Sequence, residues 1–152
     1  NQAYLLSRLG LALETVTADR PLSLIAFDFD DFKSINDSHG HAAGDHMLRI
    51  TTALIRETCI RSADVFARMG GEEFAVMMPA TPSAMAHSAA EQIRSTLANR
   101  TFDYNLAAIS VRASLGVCTT TSPTETPEAL LERSDALLYR SKKEGRNRVT
   151  GE

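Results

Sequence analysis

The sequence is short of cysteine, of positive charge and of long apolar runs, and each shortage excludes a class of protein. Its 152 residues include two cysteines, Cys59 and Cys118. Their separation matches no metal-binding motif, so both are predicted to be reduced thiols in or near the core. The net charge of −3 argues against a partner that is a nucleic-acid polymer, because proteins that bind such polymers are usually basic.

Two further absences concern membranes and nucleotides. No secretory signal and no apolar stretch long enough to span a bilayer is present, which predicts a soluble, cytoplasmic domain that makes no membrane contact. No GxxxxGK[ST] segment occurs, so any nucleotide must be held by metal, lysine and arginine rather than by a glycine cradle.

The length and the first residues bear on domain organisation. The length fits one domain, and a hydrophobic share of 43% is enough for a real core. The chain starts inside an amphipathic run. This predicts that residues 1–152 are one domain of a longer protein, such as the cytosolic part of a membrane-anchored or sensor protein.

The hydrophobic pattern alternates between helical and strand periods. Helical spacing occurs at residues 3–16, 45–59, 81–98 and 126–145, and strand patterns occur at 21–29, 65–69, 72–79 and 106–120. The last of these covers two strands or one long bent strand. Thr81 and Thr126 are predicted N-caps, and the final helix should begin at Pro127 and end near Gly145. The alternation of helices and strands along the chain, with one tight hairpin, predicts an α/β or α+β sandwich with a mixed sheet.

Two glutamates stand next to the predicted hairpin turn. Gly70 and Gly71 lie between two apolar runs and predict a two-residue turn, and Glu72 and Glu73 follow at once. Successive strand residues face opposite sides, so one carboxylate should point towards the core-facing layer. A buried charge needs a cationic partner. The alternative is a solvated turn in which the two glutamates have no function.

A second acidic group follows the apolar strand. Asp28, Asp30 and Asp31 lie at its carboxyl end, where ligands bind in α/β sheets. Two carboxylates about 4 Å apart repel by about 4 kcal/mol near a protein surface, so a cation between them is favoured. Carboxylate and backbone oxygens suit Mg²⁺ or Mn²⁺. One of the three aspartates is expected to cap the following turn instead.

Basic residues are concentrated near the end of the chain, at Lys142, Lys143, Arg146 and Arg148. One interpretation is a helix C-terminus whose cations complement the helix dipole. The other is a phosphate clamp that faces the predicted metal.

Four blocks of sequence carry a family resemblance: FDFDDFKSINDSHGHAAGDHML, RSADVFARMGGEEF, VRASLGV and SDALLYRSKKEGRN. With these blocks in order and at the family's spacing, residues 1–149 closely resemble the GGDEF family of diguanylate cyclase domains, in which GGEEF is an accepted variant. The resemblance implies a mixed, mainly antiparallel five-stranded sheet wrapped by helices, similar to polymerase palm and adenylyl cyclase catalytic domains. It also implies a homodimer in which two facing copies join two GTP into cyclic di-GMP and two pyrophosphates.

The resemblance implies metal-binding and catalytic residues. Asp28, the Phe29 carbonyl and Glu72 correspond to ligands of Mg²⁺ or Mn²⁺. Glu72 and Glu73 both correspond to catalytic carboxylates, and either of them is the candidate proton acceptor. Lys33 corresponds to a lysine that contacts phosphate and stabilises charge in the transition state.

The implied GTP-binding residues serve the triphosphate or the base: Gly70, Gly71, Lys142 and Arg146 for the triphosphate, and Asn36 and Asp45 for guanine. The aspartate at position 45 suits guanine, because one carboxylate can accept from N1–H and the exocyclic amine together, and adenine lacks that pair of donors.

The resemblance also implies a regulatory site. Arg61 and Asp64 form the family's RxxD motif, which binds the product cyclic di-GMP. Many members carry a second arginine on the following helix, where this chain has Gln92, and Arg94 is the alternative source of that charge. The family's usual opening segment is reduced to NQAYL. The alternative to an active cyclase is a degenerate domain that binds GTP or cyclic di-GMP as a receptor without turnover.

Overall fold

The computed structural model describes all residues, 1–152, in five helices and seven strands. The helices are α1 (Gln2–Leu13), α2 (Phe32–His39), α3 (His41–Cys59), α4 (Ser83–Ala98) and α5 (Pro127–Lys143). The strands are β1 (Leu22–Asp30), β2 (Val65–Gly70), β3 (Glu73–Met78), β4 (Thr101–Tyr104), β5 (Ala107–Ser110), β6 (Arg112–Thr120) and β7 (Val149–Gly151). No helix combines the length and the apolar character that crossing a bilayer requires.

The central sheet has five strands in the order β2-β3-β1-β6-β7. Its neighbouring strands are antiparallel, except that β7 runs parallel to β6. Strands β4 and β5 form a separate two-stranded hairpin. The predicted mixed, mainly antiparallel five-stranded sheet is therefore confirmed.

Helices cover both faces of the sheet, and the middle strand, β1, shows why. Ile25 and Phe27 point into a core shared with α3 and α4, and Leu24 points into a second core shared with α1 and α5. A strand buried on both faces has no solvent side, so its sequence is an unbroken apolar run rather than an alternating one. The exceptions are the buried Ser23 near its start and the aspartates at its carboxyl end.

Helix α5 lies very close to β6 because of a glycine. A Cβ atom at Gly116 would lie 2.3 Å from the backbone nitrogen of Leu138 and 2.5 Å from the carbonyl oxygen of Ser134. No side chain fits there, so the helix backbone can pack directly on the strand. This contact fixes how α5 sits over the ends of β1 and β6.

Some details differ from the sequence expectations. The region 106–120 forms two strands in different sheets, β5 and β6. Helix α3 begins earlier than predicted, at His41, and is preceded by the short helix α2, whose apolar face holds only Phe32 and Ile35. Strands β4 and β7, of four and three residues, were too short for a recognisable alternation.

The two predicted N-caps have different outcomes. Thr126 accepts a hydrogen bond from the Ala129 backbone N–H, and α5 begins at Pro127 as predicted. Thr81 was predicted wrongly, because the N-cap of α4 is Pro82. The Thr81 hydroxyl is buried and bonds instead to the Pro79 carbonyl.

Candidate active site

The carboxyl end of β1 places two aspartates beneath α5. Because side chains alternate along a strand, Asp28 and Asp30 lie on the same face as Leu24, which is the face that α1 and α5 cover. Asp28 pairs directly with Glu73 of β3. Residues opposite each other in an antiparallel pair have Cβ atoms about 5 Å apart. The sheet therefore brings these two carboxylates together.

The β2–β3 turn is shifted by one residue from the prediction. Gly70 pairs with Glu73, so the two turn residues are Gly71 and Glu72. Gly71 has a φ of +48°, which favours glycine, and the φ of Gly70 is not positive. The Phe29 backbone N–H donates to the Glu72 carbonyl at 3.2 Å. This bond holds Glu72 beside the end of β1.

Asp28 is buried and only half satisfied. Its Oδ2 accepts a hydrogen bond from the Lys142 ammonium, and its Oδ1 has no hydrogen-bond partner. Burial raises the pKa of the Asp28 carboxyl; Lys142 opposes that shift, and Glu72 and Glu73 add to it. A buried, unpartnered carboxylate oxygen is costly and is suited to a cation.

The donor set fits a hard divalent cation. No three acidic, histidine or cysteine side chains converge on one point. The predicted ligands need no such cluster, because they are two carboxylates and the Phe29 backbone carbonyl. Magnesium commonly binds through one or two carboxylates and keeps its other positions for water and substrate phosphates. Asp28 and Glu72 line one small cavity and meet this requirement.

The two glutamates open onto different spaces. Glu72 lines a cavity of about 170 Å³ that Lys33, Lys142 and Arg146 also line. Glu73 lines a neighbouring groove of about 290 Å³ beneath α5, which it shares with Asp135 and Lys142. Lys142 borders both spaces. The cavity thus collects the predicted metal ligands and all three predicted phosphate-binding cations.

The loop that carries Arg146 has an unusual backbone. Gly145, Arg146 and Asn147 have φ values of 126°, 64° and 47°. The Asn147 backbone N–H donates to Asp30 Oδ2 at 2.9 Å, and the Arg146 side chain lies 3.9 Å from Asp31. Asp31 is the N-cap residue of α2, as expected for one of the three aspartates, but its side chain makes no capping hydrogen bond.

The predicted guanine-reading residues lie near each other at the junction of α2 and α3. A Cβ at Gly44 would lie 1.8 Å from Asn36 Oδ1, so Asn36 packs against the helix immediately before Asp45. Asp45 is exposed and lines a cavity of about 340 Å³ with Leu48 and Phe66. The structure therefore brings Asn36 and Asp45 to one region.

The sequence interpretation missed the arginines of this cavity. Arg49, Arg56 and Arg68 all line it, and none of them forms a salt bridge. Arg56 lies over the Phe66 ring, 4.9 Å from its centroid, and Arg68 Nε donates to the Gly71 carbonyl at 2.9 Å. Arg68 thus ties this cavity to the hairpin turn. Its position just before the glycines was the one available sequence signal.

The RxxD motif lies beside α4 and lines a different cavity from these arginines. The Arg61 guanidinium donates to Asp64 at 2.8 Å and to Thr81 at 2.7 Å. Asp64 is fully enclosed, whereas the Arg61 side chain remains 44% exposed. Arg61 and Gln92 line a cavity of about 400 Å³ with largely apolar walls.

Arg94 does not replace the missing arginine of this motif. It pairs with Glu91 and donates to the Asn147 side chain at 3.1 Å. It does not line the cavity that contains Arg61, and Gln92 there donates to the Thr58 carbonyl. The structure therefore does not bring Arg94 into the cavity of the motif.

Comparisons with known proteins match nearly the whole chain to one family. A profile of the family described as "Diguanylate cyclase, GGDEF domain" matches residues 1–148. Diguanylate cyclase A of Treponema denticola is 43% identical over 129 residues, which cover 85% of this chain and 34% of that protein. The response regulator PleD of Caulobacter vibrioides is 39% identical over 154 residues, which cover 99% of this chain and 34% of that protein. The chain thus spans about a third of the length of these curated relatives.

A solved structure is also similar over nearly the whole chain. It is the GGDEF domain of DgcB from Caulobacter crescentus in complex with c-di-GMP, with a TM-score of 0.86 and 31% identity. The match covers 98% of this chain and 86% of that one.

Proposed function

Since the chain belongs to the GGDEF family of diguanylate cyclase domains, we propose that it condenses two GTP molecules into cyclic di-GMP and two pyrophosphates. The observation that carries the proposal is the cavity between β1, the hairpin turn and α5. There, Asp28 with its unpartnered oxygen and Glu72 line the same cavity as Lys142 and Arg146. Carboxylates for a cation and cations for phosphates are the two parts that a metal–triphosphate site needs.

Asp28, the Phe29 carbonyl and Glu72 would hold Mg²⁺ or Mn²⁺. When bound, the cation polarises a phosphate oxygen and orients the substrate. The fit rests on the free Asp28 oxygen and on the hydrogen bond that holds Glu72 beside Phe29.

The triphosphate would be bound by Lys33, Lys142 and Arg146. The β2–β3 turn leaves room for the triphosphate to come close to the backbone. A Cβ atom at Gly70 or Gly71 would meet no protein atom within 4 Å, so the space above the turn is open. Lys142, paired with Asp28 in this structure, would then exchange that carboxylate for a phosphate oxygen. Lys33 is exposed on α2, and its ammonium group would stabilise the negative charge that develops on the phosphate in the transition state.

The reaction joins one GTP to another. The 3′-hydroxyl oxygen of each GTP forms a bond to the α-phosphorus of the other, and the bond from that phosphorus to the bridging oxygen of the β-phosphate breaks. Each pyrophosphate leaves with that bridging oxygen, and each hydroxyl loses its proton to a nearby carboxylate. Glu72 and Glu73 are both candidates for that acceptor, since each flanks Asp28.

One copy of the chain would hold one GTP, so two copies must face each other. The cavity is shallow and its cations are partly exposed; the Arg146 side chain is 53% accessible. A second copy would bring the other reactant and exclude water, and catalysis would then depend on positioning more than on a covalent enzyme intermediate.

Asn36 and Asp45 would select guanine. The proposal is supported by the packing of Asn36 against Gly44, one residue before Asp45, and by the cavity that Asp45 lines. The carboxylate accepts from two adjacent guanine donors, and adenine offers no equivalent pair.

Arg61 and Asp64 would bind the product, cyclic di-GMP. Asp64 is enclosed and orients Arg61, whose guanidinium can fork onto phosphate or a guanine edge. The DgcB domain of the similar solved structure binds c-di-GMP. Because Gln92 carries no charge, this chain would bind the product with one arginine where many members have two.

The other candidate function is a receptor that binds GTP or cyclic di-GMP without turnover. Incubation of the protein at high concentration with GTP and Mg²⁺, followed by chromatography, separates the two candidates. We expect cyclic di-GMP from the wild type and none from Glu72→Gln, a variant that keeps the size of the side chain but removes its charge. Near-normal turnover by a folded Glu72→Gln would mean that Glu72 is not a metal ligand.

A further inference from the structure

Asp30 lines the same cavity as Asp28 but has different contacts. Its Oδ1 accepts a hydrogen bond from the Ser114 hydroxyl at 2.6 Å, and its Oδ2 accepts one from the Asn147 backbone N–H at 2.9 Å. Both oxygens of Asp30 therefore have donors, whereas Asp28 Oδ1 has none. Asp30 is engaged with the protein itself.

The segment that Asp30 contacts is held in an unfavourable conformation. Arg146 and Asn147 have positive φ values, a region that residues with a Cβ atom adopt uncommonly and that asparagine tolerates better than arginine. The backbone N–H groups of the segment are both bonded: Arg146 N–H donates to the Ser141 carbonyl at 2.9 Å, and Asn147 N–H donates to Asp30. The first bond comes from α5 itself. The second is the direct link to the strand end. Two side chains also contact the segment, because Arg148 Nε donates to the Arg146 carbonyl and Arg94 donates to Asn147 Oδ1.

The direction of the Arg146 side chain depends on this backbone. The side chain is half exposed, and its one ion pair, with the exposed Asp31, is loose at 3.9 Å. Nothing else holds the guanidinium, so its position over the cavity follows from the conformation of residues 145–147. We propose that Asp30 is a positioning residue that fixes this conformation and so directs Arg146 towards a bound triphosphate. The inference rests on the proposed function, because it takes Arg146 as a phosphate ligand.

The contacts of Asp30 favour a carboxylate over an amide. Both groups that face Asp30 are donors in this structure, and the backbone N–H of Asn147 cannot become an acceptor. An asparagine at position 30 keeps the shape but has no charge and only one acceptor oxygen. It can keep the bond from Asn147 as a weaker, neutral one, and it can bond to Ser114 only if that hydroxyl accepts instead of donating. Asp30→Asn therefore weakens the bond to Asn147 with little change in packing, and Ser114→Ala removes the hydroxyl donor alone.

The experiment is a titration of each variant with a fluorescent GTP analogue in the presence of Mg²⁺. Asp30→Asn should weaken binding by up to about tenfold, the scale of one lost hydrogen bond to a charged group. Ser114→Ala should weaken it less. In Asp30→Asn combined with Arg146→Ala, the affinity should be no lower than in Arg146→Ala alone, because Asp30 acts through Arg146. Asp19→Asn, an exposed carboxylate in the turn after α1, is the control and should bind like the wild type.

Several results would overturn the inference. Additive losses in the double variant, or wild-type affinity in Asp30→Asn, would show that Asp30 does not act through Arg146. The half-saturating Mg²⁺ concentration could also be higher in Asp30→Asn than in the wild type and unchanged in Arg146→Ala. That result would make Asp30 a metal ligand instead.

Hydrogen–deuterium exchange gives a readout that needs no GTP. Exchange in a peptide covering residues 144–149 should be faster in Asp30→Asn than in the wild type and in Asp19→Asn, and equal exchange would contradict the inference. If the wild type does not bind the GTP analogue and Arg146→Ala binds it no less than the wild type, the proposed function fails. This conclusion stands even if exchange is faster in Asp30→Asn as expected. The two failures are thereby distinguishable.

Discussion

The closeness of α5 to β6 predicts a large effect of Gly116→Ala. The added methyl would lie 2.3 Å from the Leu138 nitrogen and 2.5 Å from the Ser134 oxygen. Both atoms belong to the backbone of α5, so no side chain can rotate away and the helix itself must move. Bringing the nearer atom to the ordinary contact distance of 3.4 Å requires a shift of about 1 Å.

This shift should lower both stability and turnover. Overpacking of this kind costs about 1–3 kcal/mol, and each kcal/mol lowers Tm by about 2–4 °C in a chain of this size. Helix α5 carries Lys142, which lies against Asp28. A misplacement of about 1 Å in a positioning group can lower turnover by about 100-fold. We therefore expect the loss of activity to exceed what the loss of folded protein explains.

The measurements are thermal unfolding by circular dichroism and the rate of cyclic di-GMP formation at a temperature where the variant is folded. The matched control is Gly10→Ala on α1, where the nearest atom to the added methyl is Pro127 Cγ at 3.8 Å. That change should leave turnover unaltered and should raise stability by up to about 1 kcal/mol, because alanine favours a helix over glycine. Wild-type Tm and turnover in Gly116→Ala would refute the packing argument.

Three further predictions concern the base, the product and a thiol. Asp45→Ser should lower the GTP:ATP preference measured in competitive turnover, by as much as about 10⁴ if the base is fully enclosed and by less at an exposed cleft; an unchanged ratio would assign guanine recognition to Asn36 and backbone groups. Arg61→Ala should weaken cyclic di-GMP binding in calorimetry and leave synthesis intact, and equal affinities would reduce the motif to a surface ion pair. Cys118 should resist iodoacetamide at pH 8 until the protein is unfolded, because burial raises the pKa of its thiol to about 12; rapid labelling of the folded protein would contradict this.

The parts of the fold that local sequence determines were predictable. The apolar run of β1 with its terminal aspartates, and Thr126 followed by Pro127 at the start of α5, depend on neighbours in sequence and are found where the pattern predicts them. Strand β7 has three residues and forms only because β6 is there to pair with it. No local pattern encodes such a strand.

The candidate site was predictable in its residue types but not in its contacts. The ion pair of Asp28 with Lys142 joins residues 114 positions apart, and the bond of Asp30 with Asn147 joins residues 117 apart. Only the folded sheet determines these partners. The turn was misplaced by one residue for a related reason: two successive glycines both permit a positive φ, and the register with β3 decides that only Gly71 uses it.

The most direct test of the account is the dependence of the initial rate on protein concentration, with both products quantified. The account predicts one cyclic di-GMP and two pyrophosphates for every two GTP consumed, and a rate per molecule of protein that rises with concentration until the dimer is saturated. A rate per molecule that is constant at every dilution would contradict catalysis between two facing copies. Stable binding of GTP with no pyrophosphate release at any concentration would contradict the cyclase assignment itself and would favour the receptor.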